Sequence, residues 1–379
     1  MPPRRYRELY RAEGAKQAEI CSYDIAVQGT TGQGKRYRWD VRATMDGADC
    51  ETRFEFLLWN DIVHASMRKT ILRTYWLLLK TLWLYLASGA LGALFRLRKA
   101  PIMVALYPVV ILLGQLSFSV WLGYGVSKVI GGWAGAGLGA LLVAALLVMF
   151  RRFDRKFYAY YLLHDFSFWA QARGTMPAVL EPRIAEFAER IEAALDSDVD
   201  EVLVIGHSSG AHLAVSLMAE VLRRRARAPK LAFLTLGQTI PVVSFLPGAW
   251  DLRRDLRQVS MRPDVFWLDV SAPGDGACFA LSDPVAVSGV APPEGAQFGP
   301  KVISAAFSKT MTRAHQRRTR WRFLRRHVQY LCAFDFPREY DYFRVTAGPV
   351  SLRARYAERG SSASTKYTPL SPFTSTGPA

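Results

Sequence analysis

The chain has 379 residues, half of them hydrophobic and 21% charged, with a formal net charge of +17 and a pI near 9.9. That length holds one large domain or two smaller ones, and so apolar a composition beside so many charges implies a globular domain plus a membrane segment. The basic balance favours anionic partners, either nucleic acid or the acidic inner face of a membrane.

Cys21, Cys50, Cys278 and Cys332 are scattered without CxxC or Cys/His ligand spacing, so a zinc site has no support and nothing demands an oxidising compartment. The polar opening MPPRRYRELYRAEGAKQAE has no apolar h-region, so no cleavable signal peptide is expected.

In chain order, residues 1–18 are charged and read as helical or loose. Residues 20–28 and 52–59 read as strands, being rich in β-branched and aromatic residues. Between them lie the glycine cluster GTTGQGK and a further candidate strand, YRWDVRA. Residues 62–99 read as one or two helices. The runs 101–127 and 129–150 contain no charge, and each is long enough to cross a hydrocarbon core of about 30 Å. Glycines and alanines in the second run suit close packing on the first.

Arg96, Arg98 and Lys99 precede the first run, and Arg151, Arg152, Arg155 and Lys156 follow the second. Only Lys128 lies between them. The positive-inside rule then predicts a multi-pass hairpin with both ends in the cytoplasm. The stretch 74–95 reads as an interfacial helix, its Trp, Tyr and Lys side chains suiting the headgroup zone.

Beyond the hairpin, Ile184, Phe187, Ala188, Ile191, Ala194 and Leu195 mark one stripe of an amphipathic helix. Strands follow at EVLVIG, LAFLTLG (231–237) and DVFWLDVSA (264–272). Strands alternating with helices predict an α/β fold with a mostly parallel sheet flanked by helices and interrupted by the transmembrane hairpin. The expected divisions are N-terminal strands of the sheet domain (1–61), a membrane-associated insertion (62–160), the main sheet domain (161–355) and a tail (356–379). The tail is rich in Ser, Thr and Pro and reads as disordered.

Gly206-His207-Ser208-Ser209-Gly210 fits G-x-S-x-G with Ser208 at its centre. VLVI enters the turn and AHLAVSLMAEVL leaves it, the strand-then-helix context that would expose a serine Oγ. Gly206 and Gly210 would let strand and helix approach without a Cβ clash. Ser209 cannot be the centre, because His207 stands two places before it. Its backbone N–H is instead placed to donate to an oxyanion.

This turn resembles the nucleophile elbow of the α/β-hydrolase superfamily of serine hydrolases, most closely its lipase- and esterase-type members. The resemblance covers roughly 20–60 and 165–345 and implies an α/β-hydrolase-like fold with a triad in the chain order Ser, acid, His. Three histidines follow Ser208. No acid can precede His212 in that order. His315 lies in the basic stretch RAHQRRTRWR. His327, where a basic loop becomes apolar, is the expected base. The acid is expected in the turn after a late strand, which favours Asp275, with Asp283 as the alternative; Asp269, within the strand, is read as structural.

Gly29–Lys35 satisfies G-x-x-x-x-G-K, but Arg36 stands where a phosphate loop needs Ser or Thr, and a strand pattern follows where a helix should begin. The stretch VQGTTG also resembles the superfamily's oxyanion loop, with Gln28 where His is usual. N–H groups of Gly29 or Thr30 would then join Ser209 in the oxyanion hole.

Two basic clusters stand out: Arg223, Arg224, Arg225 and Arg227, and then Arg313, Arg317, Arg318, Arg320, Arg322, Arg325 and Arg326 with Trp321 and Phe323 interleaved. Beside a membrane hairpin they are expected to meet anionic lipid headgroups and not nucleic acid. The resemblance implies a membrane-anchored serine hydrolase acting on an ester or lipid substrate, needing no cofactor or metal. The rivals are a non-catalytic scaffold on the same fold and a nucleotide-binding protein using 29–35.

Overall fold

A computed structural model describes residues 2–31, 36–59, 61–62 and 70–378. Helix α1 (Pro3–Cys21) opens on Pro3, where the missing N–H costs no helical bond. Strands β1 (Asp24–Thr31), β2 (Arg36–Met45) and β3 (Ala48–Leu57) form an antiparallel sheet in that order. Asp46 and Gly47 join β2 to β3 at φ 54° and 80°, the two-residue hairpin geometry that matches strand twist. Trp39, Val41, Ala43 and Met45 alternate onto one buried face, with Tyr10 of α1 in the same core.

Helices α2 (Ile71–Ala87) and α3 (Ala90–Leu97) meet at a bend of 74°. Next come α4 (Lys99–Ile130) and α5 (Gly132–Arg152), whose most apolar 18-residue stretches have mean hydropathies of 1.9 and 2.2, each long and apolar enough to cross a membrane. They pack closely where glycines meet: a Cβ on Gly123 would lie 2.6 Å from the Gly139 carbonyl oxygen.

Helices α6 (Ala159–Gln171) and α7 (Glu181–Leu195) lead into the second sheet. It is built from β4 (Val202–His207), β5 (Leu231–Leu236), β6 (Phe266–Ser271) and β7 (Lys301–Ser304), all parallel and adjacent in that order. Helix α8 (Gly210–Arg224) joins β4 to β5, and α9 (Trp250–Ser260) lies between β5 and β6. Every residue of β5 and β6 is buried, as a parallel sheet covered on both faces requires.

Side chains alternate between two cores. Leu231, Phe233 and Trp267 meet the side packed by α7, α8 and α9. Ala232, Leu234, Leu236, Leu268 and Val270 meet the side covered by α1 and β2. The α/β architecture with a parallel sheet flanked by helices therefore stands as expected.

Three expectations change. The strands within 1–61 do not join the parallel sheet. The Asp46-Gly47 turn is too short for anything but an antiparallel neighbour, since parallel strands need a crossover of about a dozen residues. The stretch 74–95 is not one interfacial helix. Helix α2 exposes Leu72, Trp76, Leu79, Trp83 and Leu86 along one stripe, but Ala90, Ala93, Leu94 and Leu97 of α3 are buried in the sheet domain's core, and the Tyr85 hydroxyl donates to the Val242 carbonyl at 2.8 Å.

The tail beyond 356 is ordered. Ser361 Oγ accepts from Val302 N–H at 3.0 Å and Ser362 N–H donates to the Val302 carbonyl at 2.8 Å, so the tail covers the free edge of β7. Lys366 N–H donates to the Leu281 carbonyl at 2.8 Å, and the fully buried Arg253 donates from Nε to the Ser375 carbonyl at 2.7 Å. The polar composition that suggests disorder here satisfies an exposed strand edge and a buried guanidinium. A chain ending at Arg359 is therefore expected to lose about 3 kcal/mol, the scale of a hydrogen bond to a buried charge. Thermal and urea unfolding against the longer chain measure this; an unchanged midpoint means the tail adds no stability.

Candidate active site

Strand β4 becomes helix α8 within two residues. Ser208 takes φ 59°, the left-handed region that non-glycine residues seldom occupy, and Ser209 caps the helix at φ −63°. This is the strained strand-to-helix turn that a nucleophile elbow requires. The close approach rests on Gly206, where a Cβ would lie 2.8 Å from Ala211 Cα and 2.9 Å from Ala214 Cβ. Gly210 faces open space. Gly206→Ala is thus expected to cost about 2 kcal/mol by overpacking, whereas Gly210→Ala stays within about 0.5 kcal/mol. Chemical denaturation of both variants checks this, and equal costs would remove the close-approach argument.

Backbone bonds continue past the strand ends. Ser208 N–H donates to the Leu236 carbonyl at 3.0 Å, and Gly237 N–H to the Val270 carbonyl at 2.9 Å. The turns that follow β4, β5 and β6 are therefore held side by side at the carboxyl end of the sheet.

The turn after β6 carries Asp275, which is fully buried. His327 Nδ1 donates to Asp275 Oδ2 at 2.7 Å across 52 residues of sequence. With Nδ1 as the donor, Nε2 carries the lone pair, the tautomer a general base needs. The Tyr330 hydroxyl donates to the same carboxylate oxygen at 3.0 Å and accepts from Ala272 N–H at 3.0 Å. Ala277 N–H donates to Oδ1 at 2.9 Å. Burial alone would raise the Asp275 carboxyl. The charge and hydrogen bond of His327, joined by the Ala277 N–H and the Cys278 thiol, outweigh it and hold the group well below the ordinary carboxylate range.

His207, beside Ser208, links the elbow to this pair. Its Nε2 donates to the His327 carbonyl at 2.9 Å, and the two rings lie 4.8 Å apart. Burial, then the facing His327, push the His207 imidazole down to about 3, so it stays neutral at pH 7. His327 Nε2 is buried without a hydrogen-bond partner among the described residues, and none of their hydrogen bonds joins it to Ser208. Such bonds often tighten only when substrate is bound.

The other candidates lie elsewhere. His315 Nδ1 donates to Asp335 at 3.0 Å in a separate pair, with Thr312 N–H and Oγ1 on the same carboxylate oxygen. Asp283 caps a short helix, accepting from Val285 and Ala286 N–H, and also accepts from Gln297 Nε2. Asp269 accepts from Thr235 Oγ1 within the sheet at 2.6 Å.

Gly29 sits in β1 of the other sheet, its carbonyl accepting from Arg7 at 3.4 Å. Among the described residues no backbone hydrogen bond joins Gly29 or Thr30 to Ser208 or Ser209. Of the G-x-x-x-x-G-K stretch, residues 32–35 lie outside the described residues, and the element that follows is strand β2, not a helix.

The two arginine clusters differ. Arg223 pairs with Asp255 at 2.9 Å, Arg224 with Glu220 at 2.8 Å and Arg225 with Asp196 at 2.5 Å, so most of the first cluster is neutralised within the fold. The arginines of 313–326 make no ion pair with a carboxylate among the described residues. Trp321, at their centre, is 83% exposed with Arg320 over its ring at 5.1 Å.

Sequence reasoning passed over Tyr330, His207 and Asp165. Asp165, on α6, is half-buried; burial raises its carboxyl to about 6 against a hydrogen bond with the Ser209 side chain. Tyr330 and Asp165 belong to no local motif, and His207 fills a position of G-x-S-x-G that any residue may occupy. No protein-family model, curated protein or solved structure matches this chain.

His212, on α8, is buried edge-on against Trp169 at 4.5 Å, and neither ring nitrogen has a partner among the described residues. Burial pushes it down to about 3. The unfolded chain takes up this proton near pH 6.5 and the folded one does not, so stability falls with pH across that window by about 1.4 kcal/mol per unit. His212→Phe is expected to remove that slope. Urea unfolding of both proteins between about pH 6.5 and about pH 4.5 measures it, and parallel dependences refute it.

Proposed function

We propose that this protein is a membrane-anchored serine hydrolase of the α/β-hydrolase type that cleaves an ester-type acyl bond, lipid-derived esters being the favoured substrates. The observation that carries the reading is the 2.7 Å Asp275–His327 pair beside a left-handed Ser208 at the carboxyl end of a parallel sheet. A serine hydroxyl is a weak nucleophile without such a base and orienting carboxylate.

In this mechanism Ser208 Oγ attacks the acyl carbonyl carbon and His327 Nε2 takes the hydroxyl proton. Asp275 stabilises the imidazolium and holds its tautomer. Ser209 N–H, at the open N-terminal end of α8, donates to the oxyanion. The tetrahedral intermediate collapses, and His327 returns the proton to the departing alcohol. Water, deprotonated by His327, then attacks the acyl-enzyme and releases the acid and Ser208.

Helices α4 and α5 would form the membrane hairpin, with both ends on the cytoplasmic side by the distribution of flanking cations. The exposed Leu72–Leu86 stripe of α2 would lie in the headgroup zone and the 313–326 arginines against anionic lipid. Phe323 supports that placement: its ring meets Tyr107 near the start of α4 at 5.7 Å.

A fluorophosphonate probe is expected to label the wild type and not Ser208→Ala. His327→Ala and Asp275→Asn should each lower turnover by about three orders of magnitude or more, because the three groups act as one unit. Ser209→Ala, which keeps the backbone N–H, should be mild. A folded wild type that resists the probe would make the domain a non-catalytic scaffold.

A further inference from the structure

The turn that carries Asp275 leaves Pro273 and Gly274 exposed, yet its two ends are held by one side chain from outside the sheet domain. Arg98 Nη2 donates to the Pro273 carbonyl at 2.6 Å and Nη1 to the Cys278 carbonyl at 2.6 Å. A guanidinium presents its donors in a rigid planar fork, which suits it to bridging two carbonyls. Arg98 is the extended residue between α3 and α4, at φ −162° and ψ 126°, and forms the N-cap of the first apolar helix.

The same helix touches the element carrying the base. Tyr107 of α4 meets Phe323 edge-on, and Phe323 begins the five-residue helix that ends at His327. Acid and base therefore both rest on the first turns of α4.

We propose that Arg98 is a positioning residue: it holds the Asp275 turn so that the carboxylate meets His327, and through it the foot of the apolar hairpin sets the alignment of the triad. This rests on the Ser208–His327–Asp275 reading above. Arg98 acts through the two carbonyls and not on the reacting atoms. The ionisable groups facing Asp275 and its histidine are His327, His207, Tyr330 and Cys278, with Arg98 on the turn's ends and Arg326 beside Gly274. Loosening the turn withdraws the carboxylate from the imidazole. The imidazolium that forms during turnover then loses support, so turnover falls while substrate binding is kept.

The test uses the full chain in lipid nanodiscs, with p-nitrophenyl esters and the fluorophosphonate probe. Arg98→Ala is expected to lower kcat by about tenfold to a hundredfold, the cost of a small misalignment, with KM nearly unchanged. Arg98→Lys should recover part of kcat, since an ammonium lacks the fork. Lys366→Met removes the adjoining bond from Lys366 Nζ to the Leu97 carbonyl, 2.5 Å, and should leave kcat and KM as in the wild type.

A wild type inactive toward ester and probe overturns the triad reading and this inference with it. An active wild type with an unchanged Arg98→Ala overturns the inference alone, as does a Lys366→Met variant showing the same loss. If Arg98→Ala does not fold, Arg98→Lys decides by the same two readouts, a lowered kcat with KM kept.

Discussion

One backbone constraint organises the candidate site: a parallel strand must become a helix across Ser208 and Ser209. The left-handed angle at Ser208 is paid for by the packing around it, chiefly the contact of Gly206 with Ala211 and Ala214. Because Ser208, Gly237 and the turn after β6 are joined by continuing backbone bonds, the elbow cannot shift without moving the neighbouring strand ends. Asp275 and His327 are thus assembled against a fixed reference, and the sheet's two separate cores keep that reference rigid.

Much of this was legible from local pattern. The elbow is a contiguous motif in a strand-then-helix context, so its geometry could be read residue by residue. Asp275 and His327 could be expected from the chain order and acid turn that the resemblance implies, with a strand end and a basic-to-apolar transition marking the positions. Tyr330 and Arg98 could not. Tyr330 reaches Asp275 across 55 residues and Arg98 reaches Pro273 across 175, and no local pattern encodes a contact of that separation.

The misread segments failed for related reasons. Residues 20–59 have strand composition, but composition does not say which sheet a strand joins; the Asp46-Gly47 turn does. The tail's Ser, Thr and Pro content describes a chain unable to build its own core, and it needs none where β7 supplies an edge. Likewise 223–227 and 313–326 look alike as strings of arginine. They differ because carboxylates at Glu220, Asp196 and Asp255 face the first. A charge run gains meaning only from its surroundings.

The strap formed by residues 360–378 bears on the order in which the molecule is made. During synthesis α4 and α5 emerge before the strands of the parallel sheet, and the strap emerges after both. Lys366 of the strap reaches back to Leu97 at the foot of the hairpin, while Ser361 and Ser362 close β7. Until that segment is out, the sheet has an open edge and the hairpin foot lacks one of its bonds to the sheet domain. The strap's bonds therefore join an apolar segment made early to a strand made later, and none of them can form before residues 360–378 have been translated.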